Sequence, residues 1–306
     1  MEVGKLLLDI LMGLALSLYY GVINLAKSFF PDQFKKDVAN DVVLITGAGS
    51  GLGRLMAYQF AKLGAIVVSV DVNKKSNDET VKKINETGGK AFGYVCDLSD
   101  RAKIYETANK VRAEVGTVSI LVNNAGIVSG TFLLDTRDES IDRTFKVNIL
   151  AHFWTIKAFL PDMISQKKGQ IVNIASLAGH GGQSKLVDYC SSKFAAVGLD
   201  EAMRVELKYL GHDNYIKTTC VCPYYINTGM FDGVDSKFIP ILNPDYVVKI
   251  AMDGILTNTQ CVFVPWWIKI LMAFRVILPP EGFQLLSTAF GLNSCMDEFK
   301  GRKKIN

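Results

Sequence analysis

Seven short apolar runs, each set off from the next by a segment long enough to hold a helix, constrain this chain more than any other feature. They are Val42–Ile45, Ile66–Val70, Ala91–Cys96, Ile120–Val122, Ile171–Ala175, Thr218–Cys222 and Cys261–Val264. The runs are mostly β-branched and do not alternate with polar residues, as expected of strands whose sheet carries helices on both faces. Parallel neighbours need long crossover connections, and the polar segments between the runs are long enough to provide them. The pattern predicts an α/β protein: a Rossmann-like, doubly wound, seven-stranded parallel sheet over residues 41–265. No internal repeat, low-complexity tract or second domain-sized unit is present.

The first run leads straight into Thr46-Gly47-Ala48-Gly49-Ser50-Gly51-Leu52-Gly53. Glycines at 47, 51 and 53 permit a tight turn and close backbone approach to a pyrophosphate, which the N-terminus of the following helix would meet with free N–H groups. Asp71 ends the second run, where a ribose-binding carboxylate belongs. Together they predict a dinucleotide site. NAD is expected over NADP, because Asp71 would face a 2′-phosphate with like charge and Ser50 offers no compensating cation. Lys74 and Lys75 lie near enough to argue the other way, and are read as a solvated helix start.

Further on, Tyr189 and Lys193 stand four apart, on one face of a helix. Ser176 follows the fifth run, at the strand end that borders the cofactor crevice. A phenol of pKa about 10 is a poor base at neutral pH, and lowering it by ~3 units takes about 4 kcal/mol. One cation about 4 Å away supplies roughly that at an effective dielectric near 20. Lys193 is that cation, Tyr189 the proton acceptor, and Ser176 the group that orients a substrate oxygen.

With these motifs in place the chain resembles the short-chain dehydrogenase/reductase family over residues 46–228. The resemblance rests on the glycine loop, Asp97, Asn123-Asn124-Ala125-Gly126, Asn148, Ser176, Tyr189-x-x-x-Lys193 and Pro223 through Thr228. It implies that Asp97 and Val122 contact the adenine. Asn124, Ala125 and Gly126 would line the cofactor, Asn148 would hold a water that relays protons through the lysine, and Thr228 would bind the carboxamide. The implied catalytic set is Asn148, Ser176, Tyr189 and Lys193. The implied cofactor set is Gly47, Ser50, Gly51, Leu52, Gly53, Asp71, Asp97, Asn124, Ala125, Gly126, Tyr189, Lys193, Pro223 and Thr228. Tyr224 departs from the glycine common after the proline and would reshape the nicotinamide-side loop.

The flanks of these motifs are similar to a membrane-associated branch containing epidermal-type retinol dehydrogenases and 17β-hydroxysteroid dehydrogenases of lipid droplets. This implies oxidation of a lipophilic alcohol, with all-trans-retinol leading and a hydroxysteroid as the alternative. A catalytically weak lipid-droplet scaffold is the rival of another class, and the complete catalytic set argues against it. The loop after Pro223 agrees with a lipophilic ligand, since Tyr224, Tyr225, Ile226, Met230 and Phe231 dominate it and no arginine stands ready to clamp a carboxylate.

The two ends point to a membrane. Ile10 to Ala26 contains no charge, enough helix for about 25 Å against a hydrocarbon core of roughly 30 Å. Residues 1–30 are read as an anchor, spanning or interfacial, and 31–40 as a linker. Lys27, Lys35 and Lys36 follow the apolar stretch while only Lys5 precedes it, which places the catalytic domain on the cytosolic side. Residues 266–306 form an apolar extension, interrupted at Pro279-Pro280, which either covers the core or lies on a lipid surface. The terminal Lys303-Lys304-Ile305-Asn306 resembles a dilysine retrieval signal of the endoplasmic reticulum. Endoplasmic reticulum membrane or lipid droplet is therefore the expected location, and a homodimer the expected assembly. A net charge of +4 is too small and dispersed for nucleic acid. The six cysteines include no Cys-x-x-Cys pair and the three histidines are scattered, so reduced thiols and no metal site are expected.

Overall fold

In a computed structural model, which describes residues 2–301, the apolar runs become one parallel sheet. Its strands are β1 (Val42–Thr46), β2 (Ile66–Asp71), β3 (Lys90–Val95), β4 (Ile120–Asn123), β5 (Gly169–Ile174), β6 (Ile216–Pro223) and β7 (Cys261–Val264). They lie in the order β3-β2-β1-β4-β5-β6-β7. The order reverses between β1 and β4, and the crevice at that switch point is where a doubly wound sheet binds its ligand.

Helices cover both faces. On one face α2 (Gly51–Lys62) and α8 (Pro244–Leu256) bury Met56, Phe60, Val247 and Ile255 against β1, β2 and β6. On the other, α4 (Arg101–Glu114), α6 (Ala151–Ser165) and α7 (Val187–Tyr209) bury Ile104, Val111, Phe159, Met163 and Leu207. The central strands are buried along their whole length, which is why they read as continuous apolar runs. A π-turn at Lys146–Leu150 separates α5 (Asp138–Phe145) from α6 and carries Asn148; no sequence pattern announced it.

Outside this body, α1 runs from Glu2 to Phe29. Its apolar stretch, Gly4–Phe29, is 26 residues long and none of it is buried, so it reaches about 39 Å at 1.5 Å per residue. The helix is longer than the uncharged stretch suggested because Lys5 and Asp9 continue it rather than end it. The lysines behind it have structural partners. Lys27 donates to the Thr257 carbonyl, Lys35 pairs with Asp253, and Lys36 donates to Gln170 and Asn258. They fasten the linker to the end of α8, which weakens a topology argument that counted them as free charges.

Beyond β7, α9 (Ile268–Ile277) and α10 (Pro280–Ala289) form a broken hairpin. The interruption at Pro279-Pro280 falls as expected. Residues 303–306, with the dilysine-like ending, lie outside the described residues.

Candidate active site

A cavity of about 300 Å³ opens along the carboxyl ends of β1, β2, β4, β5 and β6. At one end the glycine loop is shaped by two left-handed residues, Gly47 (φ 66°) and Gly51 (φ 55°). Gly53 faces the loop rather than the cavity. A Cβ there would stand 2.3 Å from the Gly47 carbonyl oxygen and 2.6 Å from Asn124 Nδ2, so only glycine lets α2 approach the turn. Gly47, Ser50, Gly51 and Leu52 line the cavity. Asp71 lines it too, its carboxylate accepting from the backbone N–H groups of Gly49 and Asn73. Lys74 is turned away to Asp78. Asp97, which accepts from the Ser99 N–H and hydroxyl and is held below the usual carboxylate range by them, sits beside Cys96 and Leu98 in the wall.

The Asn-Asn-Ala-Gly segment joins β4 to the loop. Asn124 Nδ2 donates to the Thr46 and Gly47 carbonyls, and the N–H groups of Asn124 and Ala125 share the Thr46 hydroxyl. Gly51 and Thr228 come together across the cavity, where a Cβ on Gly51 would lie 3.4 Å from Thr228 Cβ. These residues fit an extended dinucleotide: a glycine cradle, a helix start with free N–H groups, and a carboxylate at the second strand end.

Ser176, Tyr189 and Lys193 meet at the middle of the cavity. Ser176 follows β5, and its hydroxyl accepts from Ala178 N–H and reaches the Pro223 carbonyl. Tyr189 and Lys193, one turn apart on α7, are 5 % and 3 % exposed. The Lys193 ammonium donates to the Ile174 carbonyl and lies 5.7 Å from the centre of the Tyr189 ring. Burial pushes the Tyr189 phenol up, with the Ser176 hydroxyl pulling the other way, and pushes the Lys193 ammonium down to about 8. An ammonium about 4 Å away would lower an exposed phenol, but with Tyr189 buried, desolvation is the larger effect. Asn148 is fully buried and does not line the cavity. Its amide donates to the Ile127 carbonyl and Ser192 hydroxyl and accepts from the Ile127 N–H, which holds the Gly126–Ile127 wall in place.

The other end of the cavity is apolar. Tyr224, Tyr225, Ile226, Met230 and Phe231 line it, and Phe231 packs edge-on against both Tyr225 and Tyr189. Tyr224, the departure after Pro223, bonds the Ser236 hydroxyl. Phe238, Ile239, Ile241 and Leu242 do not reach the cavity. Sequence reasoning missed Arg143, Gln183 and Leu186 in the wall, and Met272, Ser287 and Leu292 beside Phe283, an expected covering residue. The last four come from the C-terminal hairpin and the turn after it, so one face of that hairpin lines the cavity. The other face exposes Phe274, Val276, Ile277 and Leu285.

Comparison with known proteins agrees with this architecture. Mouse estradiol 17-beta-dehydrogenase 11 is 48 % identical, across 92 % of this chain and 94 % of its own. Mouse epidermal retinol dehydrogenase 2 is 46 % identical, across 88 % of each. A short-chain dehydrogenase/reductase from Burkholderia phymatum, solved in complex with NAD, superposes with a TM-score of 0.72 at 25 % identity over 82 % of this chain and 96 % of its own. The family model described as short chain dehydrogenase matches residues 41–237, from the strand before the glycine loop to the loop beyond Thr228, and the chain belongs to that family.

Proposed function

We propose that the protein is an NAD-dependent oxidoreductase that converts a lipophilic alcohol to its carbonyl, with all-trans-retinol to retinal the leading reaction. One observation carries the reading: the Ser176–Tyr189–Lys193 group sits between a dinucleotide cradle and an aromatic, charge-poor chamber. A long apolar alcohol gains about 25 cal/mol per Å² from burial in such a chamber. Asp71, which accepts from backbone N–H groups and from no cation among the described residues, favours NAD over NADP.

In the proposed reaction Tyr189 first gives up its own proton along the path behind Lys193; Ser176 then donates a hydrogen bond to the substrate oxygen and the Tyr189 phenolate takes the hydroxyl proton. Lys193 holds a positive charge beside the phenol and a donor for the cofactor ribose. Asn148 keeps the Gly126–Ile127 wall in place and anchors the proton path behind Lys193. Pro223 and Thr228 border the nicotinamide and Asp97 the adenine. When bound, oxidised NAD supplies the hydride acceptor and a positive ring. Its positive charge would offset the burial that raises the Tyr189 phenol.

The membrane completes the proposal. At about 39 Å, α1 exceeds a hydrocarbon core of roughly 30 Å. The exposed face of α9–α10 is a second apolar surface, and Met272 and Phe283 of the same hairpin line the cavity. A lipophilic alcohol dissolved in endoplasmic reticulum membrane or a lipid droplet would enter there, with the catalytic body facing the cytosol as a homodimer. A hydroxysteroid is the second reading, favoured by the estradiol dehydrogenase relative.

The test is turnover of the full-length protein in detergent micelles with NAD and a panel of retinoids, hydroxysteroids and small polyols. Retinol or a hydroxysteroid should be oxidised, and Tyr189→Phe should lower turnover at least about a hundredfold while NAD still binds. Efficient oxidation of a polyol with no lipophile turned over would overturn the proposal.

A further inference from the structure

His180, Cys222 and Cys261 are far apart in sequence, yet the fold brings their side chains together. His180 ends the short turn Leu177–Gly179 behind Ser176, Cys222 is the penultimate residue of β6, and Cys261 opens the neighbouring edge strand β7. Their three ligand atoms all lie within 4.8 Å of one another, with Cys222 Sγ 3.4 Å from His180 Nε2. None of the three lines the reaction cavity. A zinc ion with bonds of about 2.3 Å to sulfur and about 2.0 Å to nitrogen holds its ligand atoms roughly 3.5–3.8 Å apart. The observed group is within about 1 Å of that spacing.

We propose that His180, Cys222 and Cys261 bind one thiophilic divalent ion of the zinc class, with the fourth coordination position open to solvent beside Cys261. Two sulfurs and an imidazole, with no carboxylate in the group, suit a soft or borderline ion rather than calcium or magnesium. Access comes from one side only. Cys261 is exposed, whereas Cys222 is fully buried and the Phe263 ring lies 5.0 Å from that of His180. A disulfide accounts for less of this arrangement. The register pairs Cys261 with Cys220 and Cys222 with Phe263, and a sulfur–sulfur bond would leave the imidazole at Cys222 without a role.

The ion would tie the turn that carries Ser176 to the strand end before Pro223. Those two segments already meet where the Ser176 hydroxyl reaches the Pro223 carbonyl, and Arg275 of α9 donates to the His180 carbonyl. Occupancy therefore stiffens the wall between the catalytic serine and the C-terminal hairpin.

The test uses the reduced full-length protein in detergent, titrated with Co²⁺ alone and followed by absorption, then with Zn²⁺. One equivalent of Co²⁺ should give tetrahedral visible bands and a thiolate-to-cobalt charge-transfer band, both lost when one equivalent of Zn²⁺ is added. Cys261→Ser changes an exposed side chain, so it should fold normally. It should weaken Co²⁺ at least tenfold and remove about half of the charge-transfer intensity, and Cys295→Ser should change neither. Zn²⁺ should raise the thermal midpoint of the wild type and leave that of Cys261→Ser in place. Three results would overturn the proposal: a weak octahedral cobalt spectrum, identical spectra for wild type and Cys261→Ser, or a Cys222–Cys261 disulfide in a protein whose reduced form binds no cobalt.

Discussion

The two ends of the cavity are built from different materials. At the cofactor end the wall is largely backbone: Gly47 and Gly51 hold left-handed turns, Gly49 N–H reaches Asp71, and Asn124 donates to two carbonyls of the loop. At the substrate end the wall is side chains drawn from three distant segments, the Tyr224–Phe231 loop, the approach to α7 and the C-terminal hairpin. Backbone geometry depends on specific residues, since a single Cβ closes the space. Apolar volume does not, because many combinations of rings and aliphatic chains fill it equally well. One fold can thus keep a cofactor while its substrates diverge, and relatives named for estradiol and for retinol both lie near this chain.

Glycine substitutions would break that contrast most severely if it is wrong. At Gly53 a methyl group meets the Gly47 carbonyl at 2.3 Å, and neither that backbone nor the Asn124 amide beside it can yield cheaply. Gly53→Ala should cost about 3 kcal/mol of stability or abolish NAD binding. Gly182, unlike Gly53, lines the cavity itself, on the substrate side, and a Cβ there meets nothing within 4 Å. Gly182→Ala should stay within about 0.5 kcal/mol of wild type. Thermal unfolding with and without NAD measures both, and equal effects would remove the distinction between the two ends.

A smaller effect should appear at the mouth. Phe283 is half-buried on α10 and lines the cavity. Phe283→Ala should raise KM for the lipophilic alcohol roughly tenfold, a loss of about 1.4 kcal/mol, with KM for NAD unchanged. Steady-state kinetics with each substrate varied in turn separates the two. A shift in KM for NAD alone would place Phe283 in the wrong half.

The same contrast explains what the sequence could reveal. Every apolar run became a strand, the central ones because burial on both faces leaves a continuous signal, and Gly47, Gly51, Asn124, Ser176 and Lys193 line one cavity. Gly53 and Asn148 sit behind the wall rather than in it, and spacing alone cannot separate a residue that touches a ligand from one that supports the contact. Met272 and Phe283 were legible only as apolar residues, since which face of a C-terminal helix meets a cavity depends on long-range packing. The balance at Tyr189 was also hidden, because a lysine four residues away is visible in the chain and the depth of burial is not.

Two lysines are shielded from water, one in the catalytic group and one in the linker, and comparing them gives the smallest prediction. Lys193 lies in the catalytic group and Lys36 in the linker that follows the anchor, and burial lowers each to about 8. An unfolded lysine titrates near 10.4. Between about pH 8 and 10.4 the unfolded chain therefore binds more protons than the folded one at these positions, and stability rises with pH there. Below that window both states carry the proton and the desolvation cost of the ammonium is present in full. Other groups oppose the trend at high pH, since burial raises the Cys190 thiol to about 11, so the raw curve mixes several titrations. Lys36→Met isolates one of them. Met removes the ammonium, its desolvation cost and its bonds to Gln170 and Asn258 together, and it does not titrate. From pH 8 upward the wild type should gain stability that Lys36→Met does not, so the difference between them should change steadily through the window. Denaturant unfolding of both proteins across that range measures it, and a constant difference would mean that the Lys36 ammonium is as well solvated in the folded protein as in the unfolded chain.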